Sequence, residues 1–387
     1  MKLKVILKYA LLLLVITGLL CTTGCGSETP ATDATQPEVP TTTVPATTEG
    51  EPVPVEFDLE KDVLYFGRAY SKDRVQWMNW SGSGFSIRFK GSSVTAEFYS
   101  NAPDTRDLAY LKVYVDGVEQ KDILLDDVRQ EVILADELDP SVEHTIEVRK
   151  RTNARSSTAG VSSIVLTDGT ILEPEKPKER LIEFLGDSLT VGYVAAKGGK
   201  TASAWSTTTE DVTKTYIPQI ANAFNAEYQV VAISGRGIVR NNGGDTDILF
   251  PEIYREQDLY NNYGVTYDFA VQPDVVVINL GTNDESDANA SLSQDVFRQG
   301  LYDFLKEVRQ YNPDAHIVYA YGLVRVGLSD TISSVVTLLQ SEGDSKIHYL
   351  QLEQCQSWEL NLNHTVANAY ESRGEALIEK IQEITGW

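Results

Sequence analysis

Two layers of different class are predicted: an all-β sandwich of jelly-roll type, then an α/β/α domain on a five-stranded parallel sheet. Three observations predict this. Residues 56–172 hold about eight short β runs separated by turn signals, without helical periodicity. Residues 181–387 alternate apolar strands with amphipathic helical segments, which requires a parallel sheet covered on both faces. Between them, EPEKPKER at 173–180 reads as a charged, Pro-containing hinge. A chain of 387 residues with 42% apolar and 23% charged residues has enough material for both cores.

The segments ahead of these layers build no core. Lys2, Lys4 and Lys8 precede an apolar run at 9–20 that is too short for a comfortable membrane span, so residues 1–25 read as a leader. Thr22-Thr23-Gly24-Cys25 resembles the lipobox of bacterial lipoproteins, with Thr22 in the place of the usual Leu. The resemblance implies that Cys25 is the lipidated first residue of an extracellular, surface-anchored protein; the alternative is a plain secretory leader with an incidental Cys. Residues 26–55, rich in Thr, Pro, Glu and Ala and free of Lys and Arg, are expected to be a disordered tether.

Charge narrows the partners. The formal charge of −23 becomes −26 when the leader takes three lysines and no acid with it. So acidic a chain is a poor match for nucleic acid or anionic lipid, while a neutral polysaccharide is compatible. The expected contact with a membrane is through the lipid anchor alone, and a monomer is expected. After Cys25 only Cys355 remains, so the mature chain has no intrachain disulfide. No Cys/His cluster suggests a metal, and only four His compete for the role of a catalytic base.

In the β region, Phe85, Ile87 and Phe89 alternate with polar residues, and further strands are expected at 94–99, 110–115, 122–125, 131–134, 145–148 and 161–166. Asp116-Gly117 and Asp168-Gly169 mark turns. This layer either only supports its neighbour or also offers Trp77 and Trp80 to a sugar ring. In the α/β region, strands are expected at 181–185, 228–233, 274–280, 317–322 and 347–352. Helices are expected at 215–224, 293–311, 330–341 and 366–384. In the second helix, Phe297, Leu301, Phe304, Leu305 and Val308 recur at helical spacing.

Four blocks fall at or beyond the carboxyl ends of these strands: Gly186-Asp187-Ser188-Leu189, Ser234-Gly235-Arg236-Gly237, Gly281-Thr282-Asn283-Asp284 and Asn363-His364. A parallel sheet gathers such blocks on one rim. A Ser hydroxyl needs a base to take its proton, and His is the natural one near neutral pH. The tetrahedral intermediate needs donors, and the Ser188 and Gly237 amides with the Asn283 side chain would supply three. Losing one such donor typically costs about 3–4 kcal/mol of transition-state stabilisation.

In this order the blocks resemble the SGNH (GDSL-type) hydrolase superfamily. FGRAYSKDRVQWMNWSGSGFSIRFKGSSV, HTIEVRKRTNA and RLIEFLGDSLTVGY resemble carbohydrate esterase family 2, over roughly Val63 to Trp387. The resemblance implies a jelly-roll domain joined to an SGNH domain that removes acetyl groups from polysaccharides, with xylan or mannan types as substrates and no cofactor. It makes Ser188 the nucleophile and His364 the general base, with Gly237 and Asn283 in the oxyanion hole and Gly235 as the alternative glycine. Asn361 stands where such enzymes commonly carry an Asp three residues before the His, and Thr365 where Pro often follows. Some family 2 esterases resemble this case, using a Ser–His dyad whose His is oriented by a backbone carbonyl. The alternatives are another SGNH activity, on peptidoglycan O-acetyl or lipid esters, or a glycan-binding lipoprotein without catalysis.

Other candidates have plainer readings. His144, His316 and His348 read as surface or structural residues. Asp187 is expected to bond the backbone of its turn, and Asp284 to be structural. Gly235-x-Gly237 lacks the third Gly of a dinucleotide loop. Trp205 and Trp358, near the expected rim, are candidate sugar platforms or core. Residues 208–211 are expected to form a loop and a cap before Thr215.

Overall fold

The alternation in the first half closes two antiparallel sheets onto each other. One has six strands, ordered Arg129–Ala135, Val94–Tyr99, Gly160–Leu166, Val75–Trp77 and Tyr70–Lys72, with Val55–Glu56 added beside Gly160–Leu166. The other has seven and centres on Gly84–Lys90, His144–Lys150 and Ala109–Val115. In Val94–Tyr99, Val94, Ala96 and Phe98 are buried while their neighbours are half-buried, the period-2 signature of one inward face. They meet Phe85, Ile87, Phe89, Ile146 and Val148 of the other sheet in one apolar core. The short strands Leu64–Phe66, Tyr70–Lys72 and Val75–Trp77 fall outside the expectation, because three residues carry no legible period. The structure is a computed structural model that describes residues 53–101, 107–196, 199–259 and 263–387. The leader, Cys25 and residues 26–52 of the tether lie outside the described residues.

Residues 173–179 lead from the sandwich into the parallel sheet. Its strands are β1 (Arg180–Gly186), β2 (Ala226–Ala232), β3 (Val275–Asn279), β4 (His316–Tyr321) and β5 (Ile347–Gln351), in the order β2-β1-β3-β4-β5. All four pairings are parallel. All five residues of β3 are buried, because such a strand is covered on both faces and reads as a continuous apolar run. Val275 and Val277 pack on one face with α1 (Tyr216–Ala223) and α5 (Glu371–Thr385). Val276 and Ile278 pack on the other with α2 (Phe250–Arg255), α3 (Gln294–Tyr311) and α4 (Ser329–Ser341). Thus the α/β/α layering follows from alternation within each strand.

Two helical expectations need correction. The six-residue α2 was not predicted, since its turn and a half offers too little periodicity. The last helix starts at Glu371 rather than 366, after a separate 3-10 turn at Ala367–Ala369. The strand order reverses between β1 and β3, and ligands bind at that crevice in open α/β sheets.

Candidate active site

Ser188 stands just beyond β1, where the chain turns sharply. Gly186 is required there, because a Cβ on it would fall 1.9 Å from Thr190 Oγ1. The Asp187 carboxylate accepts the Leu189 N–H at 3.0 Å, so Asp187 ties the turn as expected. Burial pushes its carboxyl up to about 7.

His364 arrives from a hairpin in which Leu360–Asn361 pairs with His364–Thr365. The two-residue turn puts Leu362 and Asn363 at φ 48° and 60°, left-handed values that the right-handed twist of a tight hairpin demands. A β-carbon makes that conformation cost about 1–2 kcal/mol per residue. It also aims the Leu362 carbonyl at His364 Nδ1, 2.7 Å away. A carbonyl only accepts, so Nδ1 carries the proton and Nε2 holds the lone pair. His364 Nε2 lies 2.8 Å from Ser188 Oγ and accepts from it. Burial lowers the His364 pKa below its ordinary value, against the opposing effect of the Leu362 carbonyl. Tyr193, not expected from the sequence, stacks on the imidazole with ring centroids 4.1 Å apart.

The Asn361 amide donates to the Gly199 and Ala202 carbonyls at 2.6 and 2.9 Å, tying that loop to the His hairpin. The Asn361 side chain does not bond the His364 ring. Asn361→Asp is therefore expected to lower activity rather than complete a triad. The new carboxylate would face two carbonyl oxygens and lose both donors, a loss of about 2–3 kcal/mol in stability. Thermal melting and kcat/KM measured together check this. A gain in kcat would mean that the carboxylate turns to His364 instead.

The second block corrects one expectation. The Gly237 amide donates to Asn241 Oδ1 at 3.2 Å, and Gly237 does not line the cleft. Gly235 does, at φ +83°, a value glycine adopts at little cost. The register differs because Asp284 gathers the amides of Ile238, Val239 and Arg240 at 2.8–2.9 Å, folding residues 237–240 onto itself. Asp284 is thus structural, as expected. Asn283 does reach the cleft, and its amide hydrogens point at Asp187 Oδ2 (3.0 Å) and the Arg236 carbonyl (2.8 Å).

The cleft has a volume of about 600 Å³ and contains Ser188, Gly235, Asn283 and His364 together. Arg155, Arg325, Asp287 and Leu360 also line it, and none of them stands out in the sequence. Neither candidate Trp lines it. Trp205 stacks on Tyr193 at 5.4 Å and donates to Glu210 Oε1 at 3.2 Å, so it backs the residue that backs His364. Trp358 is 67% exposed, two residues before Leu360. Of the sandwich pair, Trp80 is 1% exposed, packs in the α/β core and donates to the Gln257 carbonyl at 2.9 Å, which removes it as a sugar platform. Trp77 is half-buried. The capping expected of residues 208–211 is present: Asp211 caps a 3-10 turn at Val212–Lys214, and Thr215 caps α1. His316 and His348 stack on each other at the starts of β4 and β5, away from these loops. His144 bonds Asp116 and the Asp139 carbonyl within the sandwich. Among the described residues, no group of three or more His, Cys, Asp or Glu could hold a metal ion.

Comparisons with known proteins agree with this architecture. The family model described as Carbohydrate esterase 2 N-terminal matches residues 65–175, and the GDSL-like Lipase/Acylhydrolase family matches residues 184–354. The chain is similar to the cellulase/esterase CelE of Acetivibrio thermocellus, 28% identical over 84% of this chain and 40% of the relative. It thus spans well under half of that protein's length. It is 29% identical to an acetylxylan esterase / glucomannan deacetylase of Cellvibrio japonicus, over 68% of this chain and 74% of the relative. A solved family two carbohydrate esterase from Clostridium thermocellum, in complex with cellohexaose, matches with a TM-score of 0.78 and 28% identity, over 84% of this chain and 99% of that one. The two matched models lie side by side on this chain, and the relatives to which it is similar are named as esterases, with a family two carbohydrate esterase among the solved structures.

Proposed function

We propose that this chain is an extracellular carbohydrate O-acetyl esterase, lipid-anchored at Cys25, that removes acetyl groups from plant polysaccharides of the xylan or mannan type. The observation that carries the reading is the relay from the Leu362 carbonyl through His364 to Ser188 Oγ in an open cleft. The names of the relatives support the substrate class.

In this reading Ser188 Oγ attacks the acetyl carbonyl carbon as its proton passes to His364 Nε2. The oxyanion forms against the amides of Ser188 and Gly235 and the Asn283 side chain, one of whose existing bonds bifurcates to reach it. The bond to the sugar oxygen then breaks, and that oxygen takes the proton from His364. A water molecule, deprotonated by the same nitrogen, attacks the acyl-serine; the bond to Ser188 Oγ breaks, Oγ takes that proton back from His364, and acetate leaves. Trp358, exposed beside Leu360, is the aromatic surface on which a sugar outside the cleft could stack.

The test is acetate release from acetylated xylan and glucomannan by residues 26–387, followed against pH. Catalysis needs neutral His364. A pKa lowered by burial keeps the ring neutral as the pH falls, so the acid limb of kcat/KM should lie below the ordinary value of 6.5. Folded protein that releases no acetate from either glycan would refute the reading.

A further inference from the structure

We propose that the cleft is built for an acetylated glycan that also carries a carboxylate close to the ester, as a uronic acid residue would, with Arg155 and Arg325 as the groups that bind it. This rests on the esterase reading of the site.

The charge of the lining is the starting point. The chain is acidic overall, at −23, yet the described cleft lining holds two guanidinium groups and one carboxylate, Asp287. A protein of that charge repels an anionic polymer at long range. A neutral glycan would need no cations in the cleft, whereas an acidic one would need them near its charge.

Arg155 is presented by the sandwich. It is exposed, but the residues on either side of it, Thr152 to Ala154 and Ser156 to Thr158, are all at most 4% exposed. Its own N–H donates to Asn153 Oδ1 at 3.0 Å. Asn153 in turn donates to Ser234 Oγ at 2.6 Å and, through its backbone, to Glu210 Oε2 at 2.9 Å. This loop is therefore fixed to the segment that presents Gly235. A Cβ on Gly235 would lie 3.8 Å from Arg155 Nη1, so the guanidinium stands beside the acyl site. Burial first, then the nearby Arg155 charge, lowers the pKa of Arg236, while Asp245 and Asp247 oppose the shift, so Arg155 and Arg236 lie near enough to interact.

Arg325 pairs with Asp287 at 2.9 Å, but the Asp287 side chain is 95% exposed. So exposed a pair is held weakly and can exchange for a substrate carboxylate. Both groups are arginines, whose planar fork matches a carboxylate through two parallel hydrogen bonds.

The experiment uses an acetylated xylo-oligosaccharide with a glucuronic acid branch, and the same compound after reduction of its carboxyl to an alcohol. The wild type, Arg155→Gln and Arg325→Gln are compared by the ratio of kcat/KM on the two. The wild type should favour the acidic compound by roughly tenfold, the scale of one charge-assisted contact. Each substitution should move that ratio toward one, and added salt should compress it. A wild-type ratio of one overturns the proposal. So does an equal loss on both compounds, which would make Arg155 an oxyanion or structural group. If the wild type releases acetate from neither compound, the esterase reading fails. Titration calorimetry with the deacetylated pair then decides the proposal separately: tighter binding of the acidic glycan, lost in Arg155→Gln, sustains it, and equal binding overturns it.

Discussion

Ser188→Ala should lower kcat on an acetylated oligosaccharide by about 10⁴–10⁶-fold, and His364→Ala should cost nearly as much. The two losses should not add, because a nucleophile and base in direct contact act as one unit; the double variant should resemble either single one. Removing one oxygen from a residue that is 5% exposed leaves packing intact, so the melting temperature of Ser188→Ala should stay near the wild type. Among the described residues His364 bonds a backbone carbonyl and no carboxylate, and this shapes the expectation. The Leu362 carbonyl fixes the tautomer of His364 but brings a dipole, not a charge, to the imidazolium that forms in the transition state. Residual activity in either variant should then come from the oxyanion donors alone. Steady-state acetate release with melting curves for all three variants checks this, and a Ser188→Ala protein within tenfold of wild type would remove Ser188 as the nucleophile.

The parts of this site that were legible in the sequence are those whose chemistry lies in residue type. Ser188 and His364 could be singled out by residue type, and the structure brings them within hydrogen-bond distance; β3 was legible because a strand covered on both faces must be apolar throughout. Which glycine of the second block lines the cleft was not legible. Gly235 and Gly237 differ by two positions, and the choice depends on Asp284, tens of residues later, drawing in three backbone amides. Tyr193 and Arg155 were missed for a related reason. Each matters through a contact in space, with His364 and beside Gly235, that no local period announces. Asn361 was legible as a departure but not as a part, since its partners are the Gly199 and Ala202 carbonyls in a distant loop.

The same kind of contact joins the sandwich to the strand that precedes Ser188, and breaking it should have the largest effect on stability. Arg68 leaves the sandwich and is buried to 1% exposure against β1, where Nη2 lies 3.2 Å from Glu183 Oε1. Its Nη1 donates to the Tyr254 carbonyl at 2.6 Å, and the guanidinium lies over the Tyr267 ring at 4.1 Å. Glu183, five residues before Ser188, also accepts from Gln229 and from the Tyr254 hydroxyl at 3.1 Å. Arg68→Ala would leave the Glu183 carboxylate buried without its cation and open a cavity beside β1. The expected cost is about 3–5 kcal/mol, the range for losing one member of a buried pair. For a protein of this size that lowers the melting temperature by about 6–15 °C. Arg68→Met with Glu183→Leu should recover much of this, because replacing both charges with apolar groups removes the desolvation cost along with the attraction. If Arg68→Ala melts within about 2 °C of wild type, the pair adds little to stability. If instead the single variant unfolds early and the double one recovers, the loss comes from the Glu183 charge left buried and unpaired rather than from the attraction itself.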